Sequence, residues 1–243
     1  MAVSTAETDV AAAFAELAET LVSGIDIDKY LADVCRHSVS FVGADTAAVV
    51  YATGQDPARV AAADERGHRL AVRSLEATRS PWAECMGTGT AISTADLADE
   101  SQRWPWFVQL AGQAGVRAIT VLPVRSLTGV AGALALIGGP MPDARGIRLA
   151  RSLCDAAGYG MVVAEHRSRL EIAVSQLQLA LSSRIVIEQA KGILAERWKV
   201  APDEAFRTLR RHARTTQRRL ADVAHAIIDG TADLVPPDRA KWK

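Results

Sequence analysis

Hydrophobic and polar residues alternate with two different periods along this chain. Up to about residue 43 the apolar positions recur at helical spacing, which predicts two helices that end at Gly24 and Gly43. The pattern then changes to short apolar runs bounded by turn-forming residues, as in buried strands. The predicted strands cover residues 46–52, 59–63, 91–93, 118–124 and 130–137.

Two stretches interrupt these strands. Residues 69–85 predict a helix that Pro81 breaks, and residues 95–114 predict an irregular segment with a Trp-Pro-Trp-Phe run at 104–107. The order of helices and strands predicts an α+β fold, in which a central antiparallel sheet has helices packed on a face.

A long helical pattern begins near Ile147 and continues towards the C-terminus. Four of its apolar residues are spaced by four, three and four positions: Leu170, Val174, Leu177 and Leu181. This is the spacing of a coiled-coil seam of barely two heptads, and equally of one helix stripe that faces a core. No low-complexity linker occurs, so we expect this helix to connect the two halves of the chain.

The C-terminal segment predicts a small bundle of three helices. The first ends near Lys199, and a proline and two acidic residues after Ala201 favour the start of the second. Thr216 is placed to cap the third helix, and Gly230 ends it. A bundle of about 45 residues buries only one small core, which the preceding helix is expected to support.

The charge of the chain is distributed unevenly. Its 243 residues include 28 Lys+Arg and 28 Asp+Glu, and 49% of them are apolar, as in an ordinary globular protein of one large or two smaller domains. Up to Ser182, 15 basic and 20 acidic residues give −5, whereas from Ser183 onward 13 basic and 8 acidic residues give +5. This asymmetry indicates contact with nucleic acid or a membrane at the basic end.

The composition disfavours several classes of protein. The three cysteines lie far apart, as expected in a reducing compartment, and no His or Cys spacing suits a metal site. The longest apolar and glycine run, 129–139, is half the roughly 20 residues that span a bilayer, and the N-terminus lacks the basic start of a signal peptide. No catalytic constellation is apparent. We therefore expect a cytoplasmic protein that is not an enzyme and has no membrane segment, metal or known cofactor.

The basic residues of the C-terminal segment concentrate on the predicted bundle. Nine of the thirteen are Arg184, Lys191, Arg197, Arg207, Arg210, Arg211, Arg214, Arg218 and Arg219. Such a surface suits a phosphate backbone, and helix amides attract anions where the last two arginines open the third helix. A solvated bundle surface is the alternative. Gly192, within a helix, has two interpretations as well: close packing, or close approach by a ligand.

Three runs of this segment match a known module. They are SRIVIEQAKGIL at 183–194, DEAF at 203–206 and RRLADVA at 218–224. With this spacing, the segment Leu181–Asp229 resembles an ANTAR domain, a three-helix RNA-binding module of bacterial antitermination regulators. The resemblance implies a homodimer that binds paired, tandem hairpins in nascent leader transcripts and disfavours the competing terminator. Hairpin loops suit such a module because their unstacked bases are readable.

The resemblance also places RNA contacts on this chain. The Ala-Lys-Gly of the family falls on 190–192 and its polar-basic opening of the last helix on 217–219, where Gln217 stands in place of the more usual Asn. Together with the basic cluster, the expected RNA-binding residues are Arg184, Ala190, Lys191, Gly192, Arg210, Arg214, Gln217, Arg218 and Arg219.

The N-terminal body resembles a GAF domain, a ligand-sensing module with a sheet and flanking helices, over about Asp26–Glu165. The order of its motifs carries the resemblance: MGTGTA at 86–91, WPWF at 104–107, GVR at 115–117 and GAL at 132–134. Many relatives have Gly-Pro-Cys near the helix that here reads SPWAEC at 80–85, so the wall of the cavity differs and no particular ligand is implied.

Four residues of the body are candidates for the wall of a ligand pocket: Trp82, Cys85, Trp104 and Trp106. Aromatic walls suit a flat small molecule, while the alternative is that the tryptophans are structural core residues. Cys85 is also a candidate redox sensor, although no neighbouring basic residue in the sequence favours its thiolate.

The expected organisation is a GAF-like sensor with an N-terminal helix at 1–165, a helical or coiled-coil linker at 166–182, an ANTAR-like RNA-binding domain at 183–235 and a tail at 236–243. A signal in the sensor is expected to change the pairing or orientation of two bundles, and so the affinity for two linked hairpins. Two other functions stay open. One is a DNA-binding regulator that uses 217–228 as a recognition helix, and the other is a sensor or dimerisation protein that binds no nucleic acid.

Overall fold

The chain forms two compact units, Met1–Arg167 and Ser168–Lys243. A computed structural model describes residues 2–23, 26–52, 57–77, 79–232 and 234–236, with the backbone alone for 2–8 and 23. Of the predicted tail at 236–243, all but Pro236 lies outside the described residues.

The first unit is built from helices around one sheet. Its helices are α1 (Ala2–Ser23), α2 (Ile27–Val42), α3 (Glu65–Leu75), α4 (Pro81–Thr88), α5 (Pro105–Gln113) and the first part of α6 (Ala144–Trp198), with a short 3-10 helix at Leu97–Glu100. The predicted stop at Gly43 is confirmed: this residue follows α2 with a φ of 77° and donates its backbone N–H to Val39. Asp26 begins α2 by accepting the backbone N–H groups of Asp28 and Lys29.

The sheet has five antiparallel strands in the order β2-β1-β5-β4-β3. The strands are β1 (Thr46–Tyr51), β2 (Arg59–Ala62), β3 (Ile92–Thr94), β4 (Ile119–Ser126) and β5 (Gly129–Ile137). The two strongest apolar runs of the sequence, β4 and β5, form the central hairpin, and its register shifts between Val124 and Arg125. The α+β class with an antiparallel sheet is therefore confirmed.

Helices cover both faces of this sheet, whereas the sequence predicted helices on one. Side chains of β1 alternate between two cores, because Val49 packs with α1, α2 and α6 while Val50 packs with α3, α4 and α5. All six residues of β1 are buried, as expected when neither face of a strand meets water.

Prolines mark helix starts that the sequence pattern missed. Pro81 does not break a helix: it opens α4, and the Ser80 hydroxyl accepts the backbone N–H of Ala83 at 3.2 Å. Pro105 likewise opens α5 inside the stretch predicted to be irregular. Proline suits the first turn of a helix, where its missing N–H has no intrahelical partner.

Two glycines in the first part of α6 allow this helix to pack closely on its neighbours within the first unit. A Cβ atom at Gly158 would overlap the carbonyl oxygen of Arg125, and one at Gly160 would overlap the ring and hydroxyl of Tyr30. Tyr30 in turn donates its hydroxyl to the carbonyl oxygen of Ala156 at 2.6 Å. These contacts hold the α6 backbone against both β4 and α2.

The second unit contains the rest of α6 and two shorter helices, α7 (Pro202–Thr215) and α8 (Leu220–Ile228). Its core contains Ala190, Leu194, Leu209, Val223 and Ile227, all of them almost fully buried. The three predicted helices of the bundle are therefore present.

The α6 helix is continuous through the predicted linker and carries exposed apolar residues there. Leu170, Val174, Leu177 and Leu181 are each more than half exposed. By length and composition alone, α6 is also apolar enough to cross a membrane, and its most apolar 18-residue window has a mean hydropathy of 1.3. Within the part of the chain that the structure describes, no core covers this stripe, which favours the seam over the core-facing interpretation.

Candidate functional site

The basic residues predicted to meet RNA lie on the surface of the second unit. Of all the residues predicted to contact RNA, seven are exposed: Arg184, Gly192, Arg210, Arg214, Gln217, Arg218 and Arg219. On α7, Arg210 and Arg214 follow directly after the buried Leu209 and Ala213, so they form one row beside the buried stripe.

Lys191 is the most enclosed of the predicted contacts. Its ammonium group pairs with the carboxylate of Glu188, one helical turn earlier, and its side chain is 22% exposed. Arg184, Glu188 and Lys191 occupy positions i, i+4 and i+7 and therefore share one face of α6. This face carries the positive charges of Arg184 and Lys191 and the negative charge of Glu188, and the Glu188 carboxylate partly neutralises Lys191.

Gly192 is exposed in the interior of α6. A Cβ atom placed there would meet nothing within 4 Å. Packing inside the described chain therefore does not account for the glycine, although glycine in a helix interior costs about 1 kcal/mol relative to alanine. Close approach by a ligand, the other interpretation of Gly192, stays a prediction.

Ala190 differs from the other predicted RNA contacts. It is fully buried in the core of the bundle with Leu194 and Ala224. Its side chain does not reach the surface, so the structure assigns it to packing between helices rather than to contact with RNA.

The corner between α7 and α8 depends on an unusual backbone conformation. Gln217 has a φ of 53°, and the next N–H, that of Arg218, bonds the carbonyl oxygen of Ala213 at 3.0 Å. This bond closes the end of α7 and holds Arg214 and Arg218 at the same corner. The expectation that Thr216 caps α8 is wrong: Thr216 follows α7, and Arg219 precedes α8 without a side-chain cap.

The positive φ explains why asparagine would suit position 217, since asparagine and glycine tolerate this conformation best. We expect Gln217→Gly to raise the free energy of unfolding by about 1 kcal/mol, because it removes the clash of a Cβ atom in the left-handed region. Gln217→Ala should leave it nearly unchanged. Chemical denaturation measures both, and a Gly variant no more stable than the Ala variant would show that the corner is not strained.

Three of the four candidate pocket residues come together inside the first unit. Trp82, Cys85 and Trp104 are fully buried in the core between the sheet and α3, α4 and α5, while Trp106 is 38% exposed. Trp82 packs edge-on against Phe107 with ring centroids 5.7 Å apart. Among the described residues, the indole N–H of Trp82 has no hydrogen-bond partner.

A charged network beside these rings was not visible in the sequence. Glu84 accepts two bonds from the guanidinium of Arg103 and a third, at 3.0 Å, from the indole N–H of Trp104. The Arg103 side chain also lies over the Trp104 ring, 4.4 Å from its centroid. The bonds from Arg103 and Trp104 lower the pKa of Glu84, against the opposing effect of burial. This network joins α4 to the start of α5.

Cys85 lacks the environment of a reactive thiol. Burial raises its pKa to about 12, although the positive charge of Arg125 acts in the opposite direction. The thiol is therefore protonated at neutral pH, which disfavours the redox-sensor interpretation.

The first unit also has a cleft on the other face of its sheet. It has a volume of about 770 Å³ and lies between α1, α2 and the start of α6. Inside it, the carboxylate of Glu16 meets Arg36 at 2.9 Å and the Nε2 of His37 at 3.0 Å. The sequence pattern did not predict this cleft, because residues far apart in the chain line it.

Solved structures that are similar to part of this chain include two GAF domains. One solved structure is the GAF3 domain of Slr1393 from Synechocystis, 11% identical over 60% of this chain and 99% of that chain, with a TM-score of 0.47. Another is the GAF domain of a phosphoenolpyruvate-protein phosphotransferase from Acinetobacter, 9% identical over 66% and 97% of the two chains, with a TM-score of 0.48. No curated protein matches the chain.

Family models match both units. The GAF domain model matches residues 24–161, and the ANTAR domain model matches residues 175–228. Both are sensor and regulatory domains rather than catalytic ones, and their combination is that of an antitermination-type regulator, typically a soluble protein. The chain belongs to the GAF domain family and carries an ANTAR domain after its GAF domain.

Proposed function

We propose that this chain is a cytoplasmic RNA-binding antitermination regulator. Its GAF domain senses a signal, for which we propose a small molecule, and its ANTAR domain binds tandem hairpins in a nascent leader transcript. Occupied hairpins are then unable to rearrange into the terminator, so transcription continues. The ANTAR match and the exposed basic residues of the second unit support this proposal.

One observation carries the RNA-binding part: Gly192 is exposed, has open space around it, and follows Lys191 on α6. A helix backbone without a side chain at this point lets a bulky ligand approach, and the neighbouring lysine and Arg184 supply charge for phosphate groups. The uncapped N-terminus of α8, next to Arg218 and Arg219, adds amides that favour anions.

Gly192→Ala separates binding from stability. We expect the variant to be more stable by up to about 1 kcal/mol, because alanine is the better helix former. We also expect it to bind hairpin RNA at least about 10-fold more weakly, because the added methyl group stands where the RNA approaches. Denaturation and electrophoretic mobility shifts give the two values.

Gly112→Ala is the matched control. Gly112 lies in α5, and a Cβ atom there also meets nothing within 4 Å. This variant should gain stability without a change in RNA affinity. If Gly192→Ala binds RNA as tightly as the parent chain, the assignment of this face of α6 is wrong.

The proposed regulator acts as a dimer, and the exposed stripe at Leu170, Val174, Leu177 and Leu181 is its proposed seam. A second copy of the same stripe would cover it as a short coiled coil. Two linked bundles then bind two hairpins of one transcript, and the second binding event becomes intramolecular. The signal in the GAF domain would act by changing this pairing.

Leu177→Glu tests the seam. Leu177 is 70% exposed, so its replacement should leave the fold intact while like charges repel across the seam. We expect a monomer by light scattering, an unchanged affinity for one hairpin, and loss of the extra affinity for two. Gln176→Glu adds the same charge outside the seam and should stay dimeric. Equal affinity of the parent chain for one and two hairpins would contradict the avidity mechanism.

A further inference from the structure

A cleft with both apolar and charged lining residues borders the end of β4, and the proposed function does not use it. The cleft has a volume of about 440 Å³ and lies within the first unit. Its lining includes Gly89, Thr90, Arg125, Arg151 and Asp155, on which the binding argument rests. We call it the Arg125 cleft.

The packing of α6 brings these residues together. Residues 151, 155 and 158 occupy positions i, i+4 and i+7 of α6 and share one face of the helix. At Gly158 this face lies directly on the backbone of Arg125, because a Cβ atom there would overlap the Arg125 carbonyl oxygen. The same face therefore places Arg151 and Asp155 next to the end of β4.

The Arg125 guanidinium is anchored at the edge of the cleft. The register shift in β4 falls at this residue, and its Nη2 donates a bond of 2.9 Å to the carbonyl oxygen of Gly89. Gly89 ends α4 with a φ of 66°, and the Thr90 hydroxyl that follows lies 2.8 Å from that of Thr88. This arrangement uses the Gly-Thr-Gly-Thr motif of the sequence, to which the RNA-binding function gives no role.

The charges of the cleft define the chemistry that it accepts. The lining includes the guanidinium groups of two arginines, one threonine hydroxyl and one carboxylate, so it is net positive. Guanidinium groups bind phosphate and carboxylate oxygens through paired, charge-assisted hydrogen bonds. Asp155 favours a ligand that also carries an N–H or O–H donor. A volume of 440 Å³ suits a small molecule.

We propose that the Arg125 cleft binds a small molecule with a phosphate or carboxylate group. Such a ligand would bridge the end of α4, β4 and α6. Because α6 continues to Trp198, the ligand would contact the helix that leads into the ANTAR domain.

Isothermal titration of the full chain tests this site. The probes are inorganic pyrophosphate and citrate, each against sodium chloride at matched ionic strength. We expect saturable binding of at least one probe, and the tighter of the two tells phosphate from carboxylate recognition. Arg151→Ala should weaken it at least 10-fold, and Asp155→Asn should tighten it several-fold because a repelling charge is removed.

Arg148→Ala is the matched control, since Arg148 is also exposed on α6 but does not line the cleft. Equal losses in Arg148→Ala and Arg151→Ala would show general surface charge and overturn the proposal, as would the absence of saturable binding for both probes. The Lys191→Ala, Arg218→Ala, Arg219→Ala variant should keep the signal. No RNA is present in this experiment, so its failure leaves the RNA-binding proposal standing.

Discussion

The triple variant Lys191→Ala, Arg218→Ala, Arg219→Ala is expected to lose about 100-fold in affinity for hairpin RNA at physiological salt. Each cation removed takes away a phosphate contact of about 1 kcal/mol, and three such losses multiply. The salt dependence should change in parallel, because fewer counterions are released on binding: the slope of log K against log salt should become shallower by about 2 to 3.

This loss should not come from unfolding. Arg218 and Arg219 are exposed. Lys191 pairs with Glu188 one helical turn away, and such a pair within one helix contributes little to stability. A matched control removes three arginines from α3, Arg66, Arg69 and Arg73, and should keep the parent affinity. If both variants lose affinity equally, binding depends on net charge alone and the site assignment fails.

Gly158→Ala is expected to destabilise the GAF domain by about 3 kcal/mol. The new methyl group would occupy the position of the Arg125 carbonyl oxygen, so either α6 moves away from β4 or the strand backbone shifts. Both changes disturb the core on that face of the sheet, where Leu153, Ala157 and Met161 of α6 are buried. Chemical denaturation of the full chain reports the loss.

Replacement of Gly112, a helix glycine with open space around it, is the control for Gly158→Ala. Gly112→Ala should gain stability by up to about 1 kcal/mol, since the same substitution meets no neighbour in α5. Opposite signs for the two variants identify the close approach of α6 to β4. A Gly158→Ala variant as stable as the parent chain would contradict that packing, and with it the geometry of the Arg125 cleft.

Periodicity predicted the elements that depend on local sequence. The apolar runs of β1, β4 and β5, the stop at Gly43 and the three helices of the bundle all appear close to their predicted places. The charge asymmetry and the motif at 183–194 led to the ANTAR domain that the family model matches.

Long-range contacts were the part that sequence patterns did not reveal. The sequence around Gly158 does not indicate that this glycine packs against the carbonyl oxygen of Arg125, because the two residues meet only in the folded chain. The same holds for the network of Glu84, Arg103 and Trp104. Helix starts at Pro81 and Pro105 were missed for a different reason: proline both breaks and begins helices, and the spacing of apolar residues does not distinguish the two.

A comparison of RNA and DNA binding tests most directly the claim that this chain recognises tandem hairpins in RNA. The parent chain is titrated with a tandem-hairpin RNA and, at the same salt concentration, with a DNA duplex of equal length. We expect the tandem-hairpin RNA to bind at least about 100-fold more tightly than the DNA duplex, and more tightly than either hairpin alone. Equal or tighter binding of the DNA, or no binding of either nucleic acid, would contradict it.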